Sequence, residues 1–313
     1  MQTYKMKLTE FFGNLFSFIR KLIFSLLSVG PIPTHISFIM DGNRRYARKH
    51  RLSEGAGHRV GFFALMSMLK YCYELKVKYV SVFAFGAENL NRSPKEVKYL
   101  MALMEEKIEE ILKEESLMSK LGIRIQFIGN LKLLKDTTRA AAERAMAATA
   151  KNKNFVVLVC AGYSSVSEIM NAVQKSYEDK RLKLQKLDSS GTGTDQSRVD
   201  FDESDPEFGI SLSDLERHMH MAAYPEPDIL VRTSGATRLS NFLLWQSSQT
   251  YLYSPAALWP EISLWHLIWM VLHFQRVPHI LEKKKKQATI NHNGSHILEE
   301  KSATLNHNGL HHY

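Results

Sequence analysis

The chain has 313 residues, 44% of them hydrophobic, with 41 Lys and Arg against 32 Asp and Glu and a formal net charge of +9. This hydrophobic fraction excludes a disordered or collagen-like chain. The two cysteines, Cys72 and Cys160, cannot build a disulfide scaffold of this size and favour a reducing compartment. The positive charge indicates nucleic acid, an anionic membrane or a phosphorylated substrate. Because the basic residues do not form one broad face with aromatic platforms, we expect no nucleic-acid partner.

Residues 1–30 are predicted to form an amphipathic helix that associates with a membrane or a partner. Residues 11–29 are mostly apolar but contain Arg20 and Lys21. A transmembrane span would place both at mid-bilayer, at a cost of about 2.5–3.5 kcal/mol each. We therefore favour a helix that lies on a membrane surface. Packing on the domain or on a partner, and a cleaved signal peptide, stay open as alternatives.

From residue 31 onward, short apolar runs alternate with longer segments of helical spacing. The runs are rich in β-branched and aromatic residues and predict six strands, at 35–40, 77–85, 123–128, 155–161, 228–232 and 251–253. The other segments predict helices at about 57–75, 94–119, 133–151, 163–177, 211–222 and 261–276. This alternation predicts an α/β fold, a single domain over 31–280 whose central, mostly parallel six-stranded sheet is flanked by helices.

Two further segments do not follow this pattern. Residues from about 179 to 209 are acidic and rich in Ser, Gly and Asp, which predicts a flexible insertion in the domain. Residues 281–313 begin with the basic run 283–286 and then repeat Asn-His-Asn-Gly twice. We predict that they form a disordered tail.

A polar cluster follows the first predicted strand. Asp41 comes directly after that strand, and Gly42 lets the backbone approach a ligand closely. Asn43 can begin the next helix, whose N–H groups attract an anion. Five basic residues follow within eight positions: Arg44, Arg45, Arg48, Lys49 and Arg51. Asp41 can therefore hold Mg²⁺ together with a substrate phosphate; an aspartate that only caps the helix and pairs with an arginine is the alternative.

The fifth predicted strand ends in a second candidate phosphate site. Arg232 is its last residue and is followed by a Thr-Ser-Gly turn, with Arg238 six residues later. Two arginines across such a turn can clamp a diphosphate with bidentate contacts, and Ser240 can add a hydroxyl donor.

Together these motifs resemble the cis-prenyltransferases, in particular the eukaryotic dehydrodolichyl diphosphate synthases and the plant rubber-type enzymes. The matching segments run in family order: HISFIMDGNRRYA (35–47), EGAGHRVGF (54–62), FGAENLNR (85–92), RTSG (232–235), RLSNFLLWQ (238–246) and LWPE (258–261). The resemblance implies sequential head-to-tail condensation of isopentenyl diphosphate onto an allylic diphosphate such as farnesyl diphosphate. The implied product is a long-chain cis-polyprenyl diphosphate of the dehydrodolichyl type.

The resemblance also implies a role for each motif residue. Asp41 matches the catalytic Mg²⁺-binding aspartate. The residues that match the allylic diphosphate site are Gly42, Asn43, Arg44, Arg45, Arg51 and His58. The residues that match the isopentenyl diphosphate site are Arg232, Arg238 and Ser240. Glu88 and Asn89 match an acidic–amide pair near the reaction centre, where Asn43 and Glu88 would position the substrates or assist proton removal.

The growing chain needs a dry apolar tunnel between the sheet and the helices. Plain core packing is the alternative for each of the side chains that are candidates for its wall: Phe62, Phe63, Leu65, Met66, Leu69, Leu100, Leu103 and Met104.

The sequence departs from the family pattern at several positions. Gly86 stands where the family usually has a serine, and Leu90 where it usually has an aromatic residue. No Arg-x-Gly follows Arg276, which resembles catalytic subunits that obtain this motif from a Nogo-B-receptor-like partner. We therefore expect a heteromer that is weakly active or inactive without the partner.

The resemblance places the protein at the cytosolic face of the endoplasmic reticulum membrane, in peripheral contact, or in the cytoplasm. A non-catalytic scaffold subunit of a prenyltransferase complex is the main alternative function. Such subunits typically lack the aspartate and the Asn-x-Arg cluster, which this chain keeps at Asp41, Asn43 and Arg45.

Overall fold

A computed structural model describes residues 2–190, 209–277 and 282. Six strands form one sheet: β1 (His35–Ile39), β2 (Tyr79–Gly86), β3 (Ile123–Ile128), β4 (Phe155–Tyr163), β5 (Ile229–Arg232) and β6 (Tyr251–Tyr253). Their order is β3-β4-β2-β1-β5-β6, and all five pairings are parallel. The α/β fold and the six predicted strands are confirmed.

The described part of the chain holds nine α-helices: α1 (Gln2–Leu27), α2 (Asn43–Lys49), α3 (Glu54–Glu74), α4 (Pro94–Lys113), α5 (Glu115–Leu121), α6 (Asp136–Thr149), α7 (Ser165–Ser190), α8 (Leu212–His218) and α9 (Leu264–Gln275). α4 begins at a favourable cap, because Ser93 Oγ accepts the Glu96 N–H at 3.3 Å and proline occupies the first helical position. The single helix predicted over 94–119 is in fact two, which are separated at Glu114. The Glu114 N–H bonds to the Ile111 carbonyl and closes a tighter last turn.

Helix α7 extends into the segment from about 179 to 209, for which the sequence predicts a flexible insertion. It runs to Ser190, so the first part of that segment is helical. Residues 191–208, the rest of the predicted insertion, lie outside the described residues. The predicted tail also lies outside them, apart from Glu282.

Both faces of the sheet are covered, as a parallel sheet requires. Alternation along β4 directs Leu158 and Cys160 to one face, where they belong to a buried cluster that includes Phe242. On the other face, Phe127 of β3 lies in a second cluster with Met101 of α4 and residues of α6.

The chain divides into two compact units. One spans Thr34–Leu264 and contains the sheet and helices α2 to α8. The other combines the chain up to Pro33 with the chain from Trp265 onward, and therefore holds α1 and nearly all of α9. The predicted 31–280 domain had included α9.

Within the smaller unit, Gln275 Nε2 donates to the Leu27 carbonyl at 2.8 Å and to that of Pro31 at 3.2 Å. Phe16 and Phe18 of α1 are exposed, as are Trp265 and Trp269 of α9. Among the described helices, none combines the length and the apolarity that a bilayer crossing needs.

Candidate active site

Three predicted motifs meet at the carboxyl edge of the sheet. Asp41 follows β1, Glu88 follows β2 and Arg232 ends β5. Because β1 lies between β2 and β5 in the sheet, parallel strands bring the ends of all three together. Residues that are far apart in sequence thus form one site.

Asp41 and Arg232 form the central ion pair of this edge. Arg232 Nη2 donates to Asp41 Oδ2 at 2.7 Å, and Arg45 Nη2 lies 3.5 Å from Asp41 Oδ1. Burial pushes the pKa of Asp41 upward, but the hydrogen bond and charge of Arg232, together with the charge of Arg45, outweigh it and hold the pKa below its ordinary value. Asp41 is therefore an ionised carboxylate with two cations beside it.

Arg232 connects this carboxylate to the other predicted phosphate motif. Its Nη1 donates to the Arg238 carbonyl at 2.7 Å and to Ser240 Oγ at 2.6 Å. Only 6% of Arg232 is exposed, and its Nε has no hydrogen-bond partner among the described residues. A buried guanidinium N–H without a partner is a costly group that an anionic ligand would satisfy.

The Gly42–Asn43 turn brings the backbone close to this carboxylate. Gly42 has a φ of 111°, which favours glycine, and a Cβ atom there would crowd Leu258 at 3.0 Å from its Cβ. Asn43 begins α2, and its Nδ2 donates to the Met40 carbonyl at 3.0 Å. Within the described structure, the buried Asn43 Oδ1 has no partner.

His58 of α3 lies beside a group of charged residues at the same edge. Burial, together with the charges of Arg92 and Arg44, lowers its pKa to about 4, although the charge of Glu96 opposes them. Glu96 pairs with Arg92 at 2.8 Å and with Arg44 at 3.6 Å. The His58 ring is neutral at pH 7, and its buried Nε2 is unpaired in the described part of the chain.

Glu88 is held by a residue that the sequence did not single out. Asn241 Nδ2 donates to Glu88 Oε1 at 3.3 Å and to Ser164 Oγ at 2.9 Å. The Asn241 side-chain oxygen accepts the Val166 N–H at 3.1 Å. Asn241 therefore joins the segment after β5 to the segment after β2 and to the start of α7.

Beneath these polar groups lies an apolar cavity of about 790 Å³. Seven of the eight predicted wall residues line it: Phe62, Leu65, Met66, Leu69, Leu100, Leu103 and Met104. The prediction for Phe63 is wrong, because its side chain is 64% exposed. Helix α5 adds Leu117, Met118 and Leu121 to the wall. The apolar tunnel between sheet and helices is thus present.

Most of the predicted site residues line this cavity: Asp41, Asn43, Arg44, His58, Glu88, Asn89, Arg232, Arg238 and Ser240. Gly42 and Arg45 do not line the cavity but adjoin a residue that does. Gly42 follows Asp41 in the chain, and Arg45 forms an ion pair with Asp41. The structure does not bring Arg51 to the cavity; it is exposed after α2. Arg92 and Trp259 line the cavity although neither was predicted as a site residue. Both could have been found from the sequence, because they lie inside the motifs at 85–92 and 258–261.

The structure holds no preformed metal cluster in its described ranges, where no three His, Cys, Asp or Glu side chains group as ligands. Asp41 alone still suits one kind of metal site. Mg²⁺ is commonly bound by one or two carboxylates together with substrate phosphates and waters, and the low pKa of Asp41 keeps its oxygens available as ligands. The donor set fits a magnesium ion that arrives with a diphosphate.

The chain is similar to known proteins over most of its length. The family model described as putative undecaprenyl diphosphate synthase matches residues 39–280. A dehydrodolichyl diphosphate synthase of Solanum lycopersicum is 56% identical over 276 residues, which are 88% of this chain and 95% of that protein. A rubber cis-polyprenyltransferase of Hevea brasiliensis is 48% identical over 286 residues, 91% of this chain and 99% of that protein.

A human dehydrodolichyl diphosphate synthase complex subunit is 37% identical over 261 residues, 83% of this chain and 72% of that protein. Among solved structures, the lavandulyl diphosphate synthase of Lavandula x intermedia superposes with a TM-score of 0.67 over 78% of this chain and 96% of that one. At 24% identity, that likeness supports the fold alone.

An arginine-rich sheet edge above an apolar cavity, in a chain with these relatives, defines a prenyltransferase. More narrowly, the chain belongs to the cis-prenyltransferase family. Its relatives in that family are polyprenyl diphosphate synthases.

Proposed function

We propose that the protein elongates an allylic diphosphate, such as farnesyl diphosphate, by repeated cis addition of isopentenyl diphosphate. The product is a long-chain polyprenyl diphosphate of the dehydrodolichyl type. One observation carries this proposal: Arg232 bonds both Asp41 and Ser240 above the apolar cavity. That arrangement suits two diphosphates at the edge and a growing hydrocarbon chain below.

Each addition breaks the allylic C1–O bond, forms a carbon–carbon bond to isopentenyl diphosphate and removes a proton from the latter. The departing diphosphate accumulates negative charge, which preorganised N–H donors stabilise most strongly in a water-poor site. We assign the allylic diphosphate to Gly42, Asn43, Arg44, Arg45 and His58, and the isopentenyl diphosphate to Arg232, Arg238 and Ser240. Arg51 was predicted in the first group as well, but it does not line the cavity.

Glu88 and Asn43 have the remaining chemical roles in this proposal. Glu88 lies beside the cavity with one oxygen accepting from Asn241, so it can position isopentenyl diphosphate or accept its proton. Asn43 presents an unpaired side-chain oxygen that can orient a substrate. Asn89 adjoins Glu88 in the cavity wall. Mg²⁺ held by Asp41 would neutralise diphosphate charge.

We further propose a heteromer, in which a Nogo-B-receptor-like subunit supplies the Arg-x-Gly segment. The human relative is named as a subunit of a complex, which supports this assembly. We also propose peripheral contact with the cytosolic face of the endoplasmic reticulum membrane. The exposed apolar side chains of α1 and α9 support this contact, since amphipathic helices bind membrane surfaces through such side chains.

The test is incorporation of labelled isopentenyl diphosphate by the chain purified together with the partner. We expect Asp41→Ala to reduce incorporation by about 10²–10³, because it removes the carboxylate that would hold Mg²⁺ beside the diphosphates. Asp136→Ala is the matched control: Asp136 lies on α6, is 86% exposed and should leave incorporation unchanged. Equal incorporation by the unchanged chain and Asp41→Ala would favour the scaffold alternative.

A further inference from the structure

Gly86 is the last residue of β2, and the space beside it is filled. A Cβ atom at Gly86 would lie 2.7 Å from Phe83 Cζ and 3.2 Å from Phe83 Cε2. In a close-packed interior such distances force one group to move. The ring of Phe83 therefore occupies the space that a serine side chain would need.

An irregularity in β2 accompanies this arrangement. The register of β2 against β4 shifts between Phe83 and Phe85, and again between Phe85 and Gly86. Bulges of this kind re-aim side chains and often lie next to active sites. Here the irregular stretch ends at the cavity wall, which Phe83 and Gly86 both line.

The Phe83 ring belongs to a cluster of three aromatic side chains, Phe83, Tyr163 and Phe242. Phe83 stacks on Phe242 with ring centroids 4.6 Å apart and planes 21° apart. Tyr163 meets both rings edge-on, at 6.3 Å from Phe83 and 5.8 Å from Phe242. Both arrangements are favourable for aromatic rings, so the cluster fixes Phe242.

Phe242 anchors a backbone segment in an unusual conformation. Ser240, Asn241 and Leu243 have φ values of 48°, 59° and 47°, in the left-handed region that non-glycine residues seldom adopt. Such conformations persist where the surroundings hold them. Phe242 is fully buried in the middle of this segment. Its packing therefore helps to set where Ser240 meets Arg232 and where Asn241 meets Glu88.

We propose that Phe83 and Gly86 form a coupled pair of positioning residues for the isopentenyl diphosphate side of the site. The missing side chain at Gly86 admits the Phe83 ring, the ring holds Phe242, and Phe242 holds the segment that carries Ser240. This inference rests on the proposed function. It gives the absence of a side chain at Gly86 a steric reason.

A double-mutant cycle tests the coupling in the chain purified together with its partner. The variants are Gly86→Ser, Gly86→Ala, Phe83→Leu and the two double variants. We expect each single variant to raise the KM for isopentenyl diphosphate about three- to tenfold, the factor that loss of one aromatic contact gives. The KM for farnesyl diphosphate should change less. Gly86→Ala and Gly86→Ser should agree, because both add the Cβ atom.

The coupling itself appears in the double variants. Once Phe83 is leucine, the space beside Gly86 is open, so adding serine or alanine there should raise the KM no further. Thermal melting of every variant checks folding. If Gly86→Ser does not fold alone, the comparison of Phe83→Leu with Phe83→Leu/Gly86→Ser decides: equal KM values support the coupling, and a further rise overturns it.

Two other results would overturn the inference. A lower KM or a higher kcat in Gly86→Ser would mean that the hydroxyl restores a missing donor. Additive changes across the cycle, or no change in any variant, would mean that the two positions are uncoupled. If the unchanged chain incorporates no label, the proposed function fails and this inference with it; incorporation with unchanged KM values overturns this inference alone.

Discussion

At the amino end of β1, the buried histidine His35 has a hydrogen-bond partner for both of its ring nitrogens. His35 is fully buried, with Nδ1 2.7 Å from the Pro225 carbonyl and Nε2 2.7 Å from Ser81 Oγ. The carboxyl end of the same strand is different. There Asn43 Oδ1, His58 Nε2 and Arg232 Nε, all buried, lack partners within residues 2–190 and 209–277.

We call the amino end of β1 the closed end, because both ring nitrogens of its buried histidine are bonded. We call the carboxyl end the open end, because some of its buried polar atoms lack a partner. A network whose members satisfy one another fixes one arrangement of the chain and needs no ligand. Buried polar atoms without partners are costly unless something else bonds them. The bonding state thus separates His35, whose role is structural, from His58, which we propose binds a ligand, although burial lowers the pKa of both to about 4.

Substitution of Arg232 is expected to have the largest effect at the open end. Arg232→Lys keeps the charge, but one ammonium cannot bond Asp41, Ser240 and the Arg238 carbonyl in the geometry of the guanidinium fork. We expect kcat/KM for isopentenyl diphosphate to fall about 10²–10³. Steady-state kinetics with the partner present measures this change.

Arg139→Lys is the matched control for this substitution. Arg139 lies on α6 and pairs with Asp136 at 2.8 Å, remote from the substrates in the proposed site. Its kinetics should match those of the unchanged chain. A fall in Arg232→Lys of less than about threefold, below one hydrogen bond in energy, would contradict the central place given to Arg232.

Acid is expected to weaken the closed end. Burial lowers the pKa of His35 to about 4 from the ordinary 6.5, against the raising effects of the Pro225 carbonyl and Asp228. Between these values the unfolded chain binds a proton that the folded chain does not. The free energy of unfolding therefore falls as the pH drops from 6.5 to 4, by up to about 3 kcal/mol from this residue.

Urea unfolding at pH 7.5 and pH 4.5 measures this contribution, with His35→Gln for comparison. Carboxylates and other histidines titrate in both proteins, so the difference between their pH dependences isolates His35. We expect a smaller loss of stability in the variant, although it starts from a lower stability. Equal losses in the two proteins would show that His35 does not stay neutral in the folded chain.

The sequence was sufficient for the sheet and for the motifs at its edge. Continuous apolar runs define buried parallel strands, and parallel strands place the residues that follow them at one edge, so Asp41 and Arg232 could be assigned together. The break at Glu114 was not predictable, because both sides of it have helical spacing.

The residues that sequence reasoning missed act through tertiary contacts. Asn241 reaches Glu88 from 153 residues away, and only the fold brings them together. Phe63 was predicted to line the tunnel together with its neighbour Phe62, but consecutive residues on a helix point in different directions. At Gly86 the sequence showed only a glycine in place of a serine, because the contact with the ring of Phe83 depends on the fold.

The smallest effect that we expect separates the two histidines directly. His58→Phe removes one nitrogen available to the allylic diphosphate, and we expect the KM for farnesyl diphosphate to rise about tenfold, equivalent to about 1.4 kcal/mol. The midpoint of thermal unfolding should hardly change. His35→Gln should do the reverse, lowering the midpoint while preserving both KM values.

The pKa of His58 also predicts how the KM change in His58→Phe depends on pH. Because the pKa of His58 lies near 4, the ring is neutral throughout an assay range of about pH 6 to 8. The ratio of the KM of His58→Phe to that of the unchanged chain should therefore be constant over that range. A ratio that grows toward pH 6 would mean that a protonated His58 binds the diphosphate, which would contradict the neutral ring in the site.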